Sequence, residues 1–154
     1  MTVAPCVLIV EDDEGHATLI RRNMKRAGWG EHSVYLKDGQ ELLDYVYKQA
    51  QFSTRPSNEA VAIIADLNMP RLSGFEVLQR LKSDEDFSRI PVYVMTTTDN
   101  PAEIERCYDL GAAAYLVKPL DYGVFGEMVR RLAEFLASIR LPAEERVAGR
   151  SHGP

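Results

Sequence analysis

Reactive polar side chains stand at the end of four separate apolar runs in this sequence. The runs and the residues that follow them are CVLIV before Glu11, Asp12 and Asp13, AVAIIA before Asp66, PVYVM before Thr96, and AAYLV before Lys118. If the runs are neighbouring parallel strands, their carboxyl ends meet at one edge of the sheet, where open α/β folds bind ligands. The sequence thus predicts one pocket that contains several carboxylates, a hydroxyl and an ammonium.

This set of side chains restricts the chemistry of the predicted pocket. Carboxylates a few Å apart repel one another, so such clusters usually hold a hard divalent cation or raise each other's pKa. Oxygen ligands without a neighbouring Cys or His favour magnesium over zinc. Mg²⁺ commonly joins carboxylates to a phosphoryl group, and that group's remaining oxygens can accept hydrogen bonds from a lysine and a threonine. The residue types therefore indicate a phosphoryl site.

The elements that would position these residues alternate along the chain. Apolar runs of strand length alternate with segments of helical period, which is typical of a parallel sheet flanked by helices. We predict strands near residues 6–10, 33–36, 61–65, 92–96 and 114–117. Helices are predicted around Ala17 to Ala27, Leu42 to Val46, Phe75 to Leu81, from Pro101 onwards, and over about 121–139.

The composition indicates one globular domain. The 154 residues are 45% hydrophobic and 27% charged, which suffices for a sizeable core. A formal charge of -5 and the lack of a basic stripe disfavour nucleic-acid binding. Cys6 and Cys107 show no CxxC spacing, so both are predicted to be buried thiols. No segment approaches the roughly 18 apolar residues of a membrane span, so we expect no membrane partner and a cytoplasmic location.

We expect residues 1–140 to form the domain and residues 141–154 to form a flexible tail. The end of the chain, PAEERVAGRSHGP, has no apolar period that would pack it against a core. Residues 50–59 are polar and contain Pro and Ser, so they are predicted to be a loop between the second helix and the third strand.

Four segments of the sequence resemble the receiver domains of two-component response regulators. The matching motifs, in family order, are LIVEDD at 8–13, IIADLNMPRLSGFEVL at 63–78, VMTTTD at 94–99 and AAYLVKPL at 113–120. The resemblance extends over about 140 residues, the size of one such domain. It implies a flavodoxin-like (βα)5 fold of the α/β class, a doubly wound parallel sheet with strand order 2-1-3-4-5.

The resemblance also implies roles for the reactive residues. Asp66 resembles the phosphoacceptor, a carboxylate nucleophile that takes a phosphoryl group from a phosphohistidine. The implied ligands of Mg²⁺, for which Mn²⁺ or Ca²⁺ could substitute, are Glu11, Asp12, Asp66 and the backbone carbonyl of Asn68. Thr96 and Lys118 resemble the pair that engages the phosphoryl oxygens. Such a protein is a signalling phosphoacceptor with Mg²⁺-dependent phosphotransfer and autodephosphorylation chemistry, rather than a conventional enzyme.

A conformational switch is implied beside this site. Tyr115 matches the family's aromatic switch position, which turns inward as Thr96 moves towards the phosphoryl group. The surface that changes would consist of the fourth helix, the fifth strand and the last helix. Asn68 and Thr98 are expected to set the phosphoryl lifetime, and Lys118–Pro119 resembles the family's cis peptide.

The resemblance implies a sensor histidine kinase as the phosphoryl donor. The NMPRLSGFEVL and TTTDN segments and the DYVYKQ helix resemble stand-alone regulators that are paired with phytochrome kinases. A bacteriophytochrome is therefore a candidate kinase, and a histidine phosphotransfer protein is a candidate downstream acceptor. Such regulators are often homodimers, and we expect contacts in the region of the fifth strand and the last helix. The candidate contact residues are Leu132, Phe135, Leu136 and Ile139.

Simpler interpretations stay open for several of these residues. Asp13 can equally be a solvated or modulatory residue rather than a metal ligand. Tyr115 can be a half-buried core residue rather than a switch. The histidines have no metal-ligand spacing and are expected at the surface; they are His16, His32 and His152.

Three other functions are compatible with parts of the pattern. A haloacid dehalogenase-like phosphatase is suggested by Asp66-Leu67-Asn68, but Asn68 stands where that class has a general-acid Asp. A flavin-binding module shares the topology, but its first turn should be rich in Ser, Thr and Gly, whereas the turn here is Glu-Asp-Asp. The sequence also leaves open a degenerate receiver that acts as a phosphorylation-independent interaction module.

Overall fold

All five predicted strands and all five predicted helices are present in the structure, which is a computed structural model. The structure describes residues 5–55 and 59–139. The strands are β1 (Pro5–Val10), β2 (Ser33–Leu36), β3 (Glu59–Ala65), β4 (Val92–Thr96) and β5 (Ala114–Val117). The helices are α1 (Glu14–Arg26), α2 (Gly39–Val46), α3 (Gly74–Ser83), α4 (Pro101–Asp109) and α5 (Tyr122–Ser138).

The strands form one parallel sheet in the order β2-β1-β3-β4-β5. In the centre of the sheet, Leu8 of β1 pairs with Val34 of β2 on one side and with Ile63 of β3 on the other. At the far edge, Val94 of β4 pairs with Tyr115 of β5. The predicted fold class and strand order are therefore confirmed.

The segment predicted as a loop at 50–59 contains regular structure at both ends. Ala50–Phe52 forms a 3-10 turn, and β3 begins at Glu59, opposite Pro5 of β1. The strand extends beyond the apolar run because pairing uses main-chain groups, which polar residues also carry. Residues 56–58 and the predicted tail at 141–154, which includes His152, lie outside the described residues.

Helices cover both faces of the sheet, and the residues of the central strands alternate between the two faces. Leu8 and Ile63 pack with residues of α2 and α3, whereas Ile9 and Ile64 pack with residues of α1 and α5. Each of these four side chains is at most 2% exposed. A smaller cluster around Cys107 joins α4 to the sheet. Burial on both faces explains why these strands are continuously apolar instead of alternating with polar residues.

Each of the five α-helices begins with a side-chain cap shortly after a strand ends. The capping residues are Asp13, Asp38, Ser73, Asn100 and Asp121. Each of their side-chain oxygens accepts a hydrogen bond from a backbone N–H in the first helical turn, which stabilises the helix start. The cap on α1 gives Asp13 a structural role, because Asp13 Oδ1 accepts from the backbone N–H of His16 at 2.9 Å. That hydrogen bond lowers the pKa of the Asp13 carboxyl.

The peptide bond between Lys118 and Pro119 is trans, so the predicted cis bond is wrong. The sequence does not fix this geometry because the two isomers of an X-Pro bond differ by only about 0.5–1 kcal/mol. β5 nevertheless brings Lys118 to the end of β4, where the backbone N–H of Lys118 donates to the carbonyl of Thr96 at 2.7 Å.

Candidate functional site

The side chain of Lys118 lies at the centre of a polar cluster at the carboxyl ends of the strands. Its Nζ is 2.6 Å from Asp66 Oδ2, at the end of β3, and 2.5 Å from Glu11 Oε1, at the end of β1. The Lys118 side chain is 1% exposed, and those of Glu11 and Asp66 are 3% and 9% exposed. Three residues that are far apart in the sequence thus form a buried ion cluster, as the strand-end pattern predicted.

The electrostatics of this cluster follow from its burial and its unequal charges. Burial alone lowers the pKa of Lys118, but the hydrogen bonds to Asp66 and Glu11 outweigh that effect and raise it above its ordinary range. Burial raises the pKa of Glu11, and the attraction of Lys118 offsets only part of this rise. One ammonium carries a single positive charge, so it cannot neutralise two buried carboxylates, which also repel each other. The site has an excess of negative charge.

Asp12 adds a third carboxylate to the site. One oxygen from each of Glu11, Asp12 and Asp66 lies within 4.8 Å of the others, and Asp12 is exposed whereas the other two are buried. Three carboxylates and one ammonium leave two negative charges uncompensated, which matches the charge of a divalent cation. Oxygen donors are the ligands that hard divalent cations prefer. The donor set therefore fits a divalent metal, and the exposed Asp12 gives it access from solvent.

Asn68 and Thr96 complete the polar surroundings of Asp66. The backbone N–H of Asn68 donates to Asp66 Oδ1 at 2.9 Å, and Asn68 Nδ2 donates to Thr96 Oγ1 at 3.3 Å. Thr96 is fully buried at the end of β4. Both oxygens of the Asp66 carboxylate therefore have donors, one from Asn68 and the other from Lys118. The predicted residues Glu11, Asp12, Asp66, Asn68, Thr96 and Lys118 lie together in this structure.

The loop after Asp66 is restrained by a contact between its two ends and by an ion pair from its middle. The N–H of Gly74 donates to the carbonyl of Leu67 at 3.1 Å, and a Cβ at position 74 would lie 2.8 Å from Leu67 Cα. Only glycine allows this approach. Arg71, whose φ of 67° is unusual for a residue with a side chain, forms an ion pair with the buried Asp38 at the start of α2. These contacts restrain the loop that follows Asp66.

Tyr115 lies in β5 and is not simply a core residue. Its hydroxyl donates to the carbonyl of Thr98 in the loop after β4 at 2.7 Å, while its ring packs on the cluster around Cys107. Burial raises the pKa of Tyr115 from 10.0 to about 12. The backbone N–H of Tyr115 donates to the hydroxyl of Tyr108 in α4 at 3.0 Å. Tyr115 therefore connects β5 with α4 and with the loop that begins at Thr96.

His16 is the residue at this site that the sequence interpretation missed. It was expected at the surface, but its side chain is only 19% exposed and its Nδ1 lies 3.1 Å from Lys118 Nζ. Its ring packs edge-on against Phe125 and Tyr122 of α5, at centroid distances of 5.4 and 6.1 Å. The available signal was its position in the first turn of α1, directly after the acidic strand end.

The match to known families defines the class of the protein. Residues 7–130 match the response regulator receiver domain family, and the chain therefore belongs to that family. It is a response regulator of two-component signalling, and its function is to accept phosphorylation. Family membership decides against the phosphatase and the flavin module as alternatives.

Two of the relatives are regulators of similar size. Response regulator Rcp1 of Synechocystis sp. is 30% identical over 138 residues, which cover 89% of this chain and 92% of the relative. The phosphorylated cyanobacterial phytochrome response regulator RcpA superimposes with a TM-score of 0.84 at 30% identity, covering 90% of this chain and 99% of RcpA.

Two further solved structures resemble the fold. The Mn²⁺-bound form of Rcp1 gives a TM-score of 0.83 at 29% identity and covers 90% of this chain and 99% of Rcp1. The bacteriophytochrome response regulator AtBRR gives 0.71 at 26% identity, with coverages of 90% and 97%. Within residues 5–55 and 59–139, none of the helices has the length and apolar character that membrane crossing requires.

Proposed function

We propose that Asp66 is the residue that receives the phosphoryl group and that Mg²⁺ binds beside it. The observation that carries this proposal is the buried Lys118 ammonium, which contacts both Asp66 and Glu11. Folding alone does not require such a cluster, because apolar residues of similar volume often stabilise a protein core at least as well. An incoming phosphoryl group, in contrast, requires positive charge beside its acceptor.

The proposed ligands of Mg²⁺ share oxygen donors; they are Glu11, Asp12, Asp66 and the backbone carbonyl of Asn68. When bound, the ion neutralises negative charge on the acids and on the phosphoryl group. Mn²⁺ or Ca²⁺ could substitute for Mg²⁺, because carboxylate and carbonyl oxygens suit all three ions.

The transfer is a displacement at phosphorus. An oxygen of the Asp66 carboxylate forms a bond to the phosphorus of a phosphohistidine as the P–N bond breaks, and the bonding electron pair stays on the donor's imidazole nitrogen. In the transition state negative charge is spread over the phosphoryl oxygens, and the Lys118 ammonium offsets it there. The charge that the carboxylate loses ends on the leaving imidazole nitrogen, which takes up a proton. Autodephosphorylation is the attack of water on the same phosphorus, which breaks the P–O bond to Asp66, releases inorganic phosphate and restores the carboxylate. We expect Asn68 and Thr98 to set the rate of that step.

The phosphoryl group is proposed to drive a switch through Thr96 and Tyr115. It brings up to about two negative charges to a site where the Thr96 hydroxyl is already fully buried. If the Thr96 hydroxyl donates to a phosphoryl oxygen, the loop that carries Thr98 shifts, and the Tyr115 hydroxyl loses its acceptor at Thr98. The Tyr115 ring then turns inward. The surface of α4, β5 and α5 changes as a result.

A sensor histidine kinase is the proposed phosphoryl donor. A bacteriophytochrome is the candidate kinase, because the chain resembles RcpA and AtBRR, which are described as phytochrome and bacteriophytochrome regulators. A histidine phosphotransfer protein is the candidate acceptor downstream. We propose that the chain works as a stand-alone regulator through such contacts, and its cytoplasmic location stays a prediction.

A homodimer through β5 and α5 also stays a proposal, with a revised set of contact residues. Leu132 and Leu136 were expected to be available, but they are 8% and 2% exposed because α5 packs against the sheet along this line. Phe135 is 50% exposed and can contact a partner, and Ile139 is partly buried. Equilibrium sedimentation should show a dimer that Phe135→Asp converts to monomer. A wild-type protein that is monomeric both with and without phosphorylation would contradict the dimer.

The first test of the proposal is phosphate incorporation from a small acyl phosphate. Wild-type protein and Asp66→Asn are incubated with the donor, with and without Mg²⁺, and separated on a phosphate-affinity gel. We expect a shifted band that requires Mg²⁺ and that the variant lacks. An unshifted wild type that also fails to bind Mg²⁺ would support the degenerate receiver instead. A shifted band in Asp66→Asn would place the phosphoryl group on another residue.

A further inference from the structure

The Lys118 ammonium has one more N–H donor than the two carboxylates accept. An ammonium carries three N–H groups and no lone pair. Glu11 Oε1 and Asp66 Oδ2 account for two of them, at 2.5 and 2.6 Å. His16 Nδ1 lies 3.1 Å from the same nitrogen, within hydrogen-bond distance. Because Lys118 can only donate, a hydrogen bond between the two atoms has Nδ1 as its acceptor, which requires the His16 tautomer with the proton on Nε2.

His16 is held in place from two directions. Its backbone N–H donates to Asp13 Oδ1 at 2.9 Å, which fixes its position in the first turn of α1. Its ring contacts the edges of Phe125 and Tyr122 in α5. The Asp13 carboxylate is 4.0 Å from His16 Nδ1, too far for a hydrogen bond, so Nδ1 is available to Lys118. A freely solvated surface histidine would have neither of these restraints.

The acceptors of Lys118 differ in what happens to them during the reaction. In the proposed function, Asp66 becomes phosphorylated, and Glu11 and Asp66 both share their oxygens with a divalent cation. Two of the three acceptors therefore change during phosphotransfer, whereas the ring of His16 lies outside the acidic cluster. The flexible four-carbon stem of a lysine does not hold its ammonium in one place without such a fixed acceptor.

We propose that His16 is a positioning residue for phosphotransfer: its Nδ1 holds the Lys118 ammonium where the phosphoryl oxygens arrive. This inference rests on the proposed function of Asp66 and Lys118. His16 neither touches the phosphoryl group nor supplies a proton to it. It acts through Lys118.

The test compares phosphorylation rates of two substitutions at position 16. His16→Phe keeps an aromatic ring against α5 but has no acceptor, whereas His16→Asn offers an amide oxygen near the place of Nδ1. We expect His16→Phe to be about tenfold slower with an acyl phosphate at saturating Mg²⁺, the effect of one lost hydrogen bond to a charged group. His16→Asn should recover most of that rate. His32→Phe is the matched control and should keep the wild-type rate.

A double-mutant cycle shows whether His16 acts through Lys118. In a Lys118→Met background, adding His16→Phe should change the remaining rate by less than about twofold, because the group that it positions is gone. A tenfold loss in both backgrounds would overturn the inference, and so would a His16→Asn variant as slow as His16→Phe. Circular dichroism checks that each variant is folded. If His16→Phe does not fold, His16→Leu serves as the variant without an acceptor.

The outcome for the wild type separates this inference from the proposed function. If the wild type is not phosphorylated on Asp66, the proposed function fails, and the positioning role of His16 fails with it. If the wild type is phosphorylated and His16→Phe reacts at the same rate, only the role of His16 is refuted.

Discussion

The site at the carboxyl ends of the strands and the α4–β5–α5 region, here residues 101–138 without Lys118, hold their side chains in different ways. Taken as whole residues, the buried polar residues of the site are at most 8% exposed; they are Glu11, Asp66, Thr96 and Lys118. Each of them has a hydrogen-bond partner within the site. In the α4–β5–α5 region, Leu120 is 96% exposed and Tyr122 and Phe135 are at least half exposed. The chemistry requires fixed polar atoms, whereas recognition by a partner requires accessible apolar surface.

Tyr115 connects the site with the α4–β5–α5 region. It belongs to β5, its hydroxyl bonds to Thr98 near the site, and its backbone bonds to Tyr108 of α4. A change at Thr96 can therefore reach α4 and β5 through few contacts. In the proposed switch, the ion cluster of Glu11, Asp66 and Lys118 stays in place, while Thr96 and this edge of the sheet respond.

The largest effect should come from the buried part of α5, where two phenylalanines provide a matched pair. Phe125 is fully buried, and Phe135 on the same helix is 50% exposed. Phe125→Ala should lower the free energy of unfolding by about 3–5 kcal/mol, because it leaves a cavity in the core. Phe135→Ala should lower it by at most about 1 kcal/mol. Urea denaturation measures both, and similar losses would show that Phe135 is packed rather than available for contacts.

Replacement of Lys118 tests the charge balance of the site. Lys118→Met should slow phosphorylation by about two orders of magnitude, because no ammonium remains to offset charge on the phosphoryl group. The same substitution should strengthen Mg²⁺ binding, because Lys118 no longer competes for the oxygens of Glu11 and Asp66. Gel time courses and calorimetric titration with Mg²⁺ measure the two effects. Weaker metal binding in Lys118→Met would mean that the ammonium organises the acids instead of competing for them.

Removal of the Tyr115 hydroxyl should lower stability slightly through the α4–β5–α5 region and should leave the phosphorylation rate nearly unchanged. Tyr115→Phe loses one hydrogen bond, to the carbonyl of Thr98, and should lower the free energy of unfolding by about 0.5–1.5 kcal/mol. The phosphorylation rate should change by less than about twofold, because this hydroxyl does not bond to Asp66. A large drop in the phosphorylation rate would contradict the separation of chemistry from response.

Alkaline pH provides an independent test of the same hydroxyl. Because burial raises the pKa of Tyr115 from 10.0 to about 12, the neutral phenol contributes stability below pH 10.0 that is lost as the pH rises towards about 12. Over that range Tyr115→Phe should lose less stability than the wild type. Urea denaturation on both sides of pH 10 measures the difference. Parallel curves would indicate that the Tyr115 hydroxyl is accessible to solvent.

The sequence predicted what depends on residue type and strand order. The site residues follow apolar runs, and parallel strands bring such positions to one edge regardless of the details of packing. The placement of Glu11, Asp66 and Lys118 within hydrogen-bond distance agrees with that expectation. The strand order was implied by the family motifs and is confirmed.

Properties that depend on contacts between distant segments were not predictable in this way. The apolar stripe of α5 showed that this helix packs, but whether Leu132 and Leu136 face the core or a partner depends on the angle at which it crosses the sheet. The burial of His16 likewise depends on the ring of Phe125, which another helix supplies. The isomer of the bond before Pro119, which is trans, was also not predictable, because the cis and trans forms differ too little in energy for the sequence to decide between them.

Both thiols are buried, as the sequence predicted, so their alkylation can report local opening of the structure. Cys6 and Cys107 are 4% and 0% exposed, and burial raises the pKa of Cys107 from 9.0 to about 11. The thiolate that reacts with alkylating reagents is therefore scarce at neutral pH in the folded protein. Cys107 is the buried residue of α4 and packs against Leu67 and Val94. The alkylation rate of Cys107 would therefore report how often α4 opens, with Cys6 as an internal reference in the opposite half of the sheet.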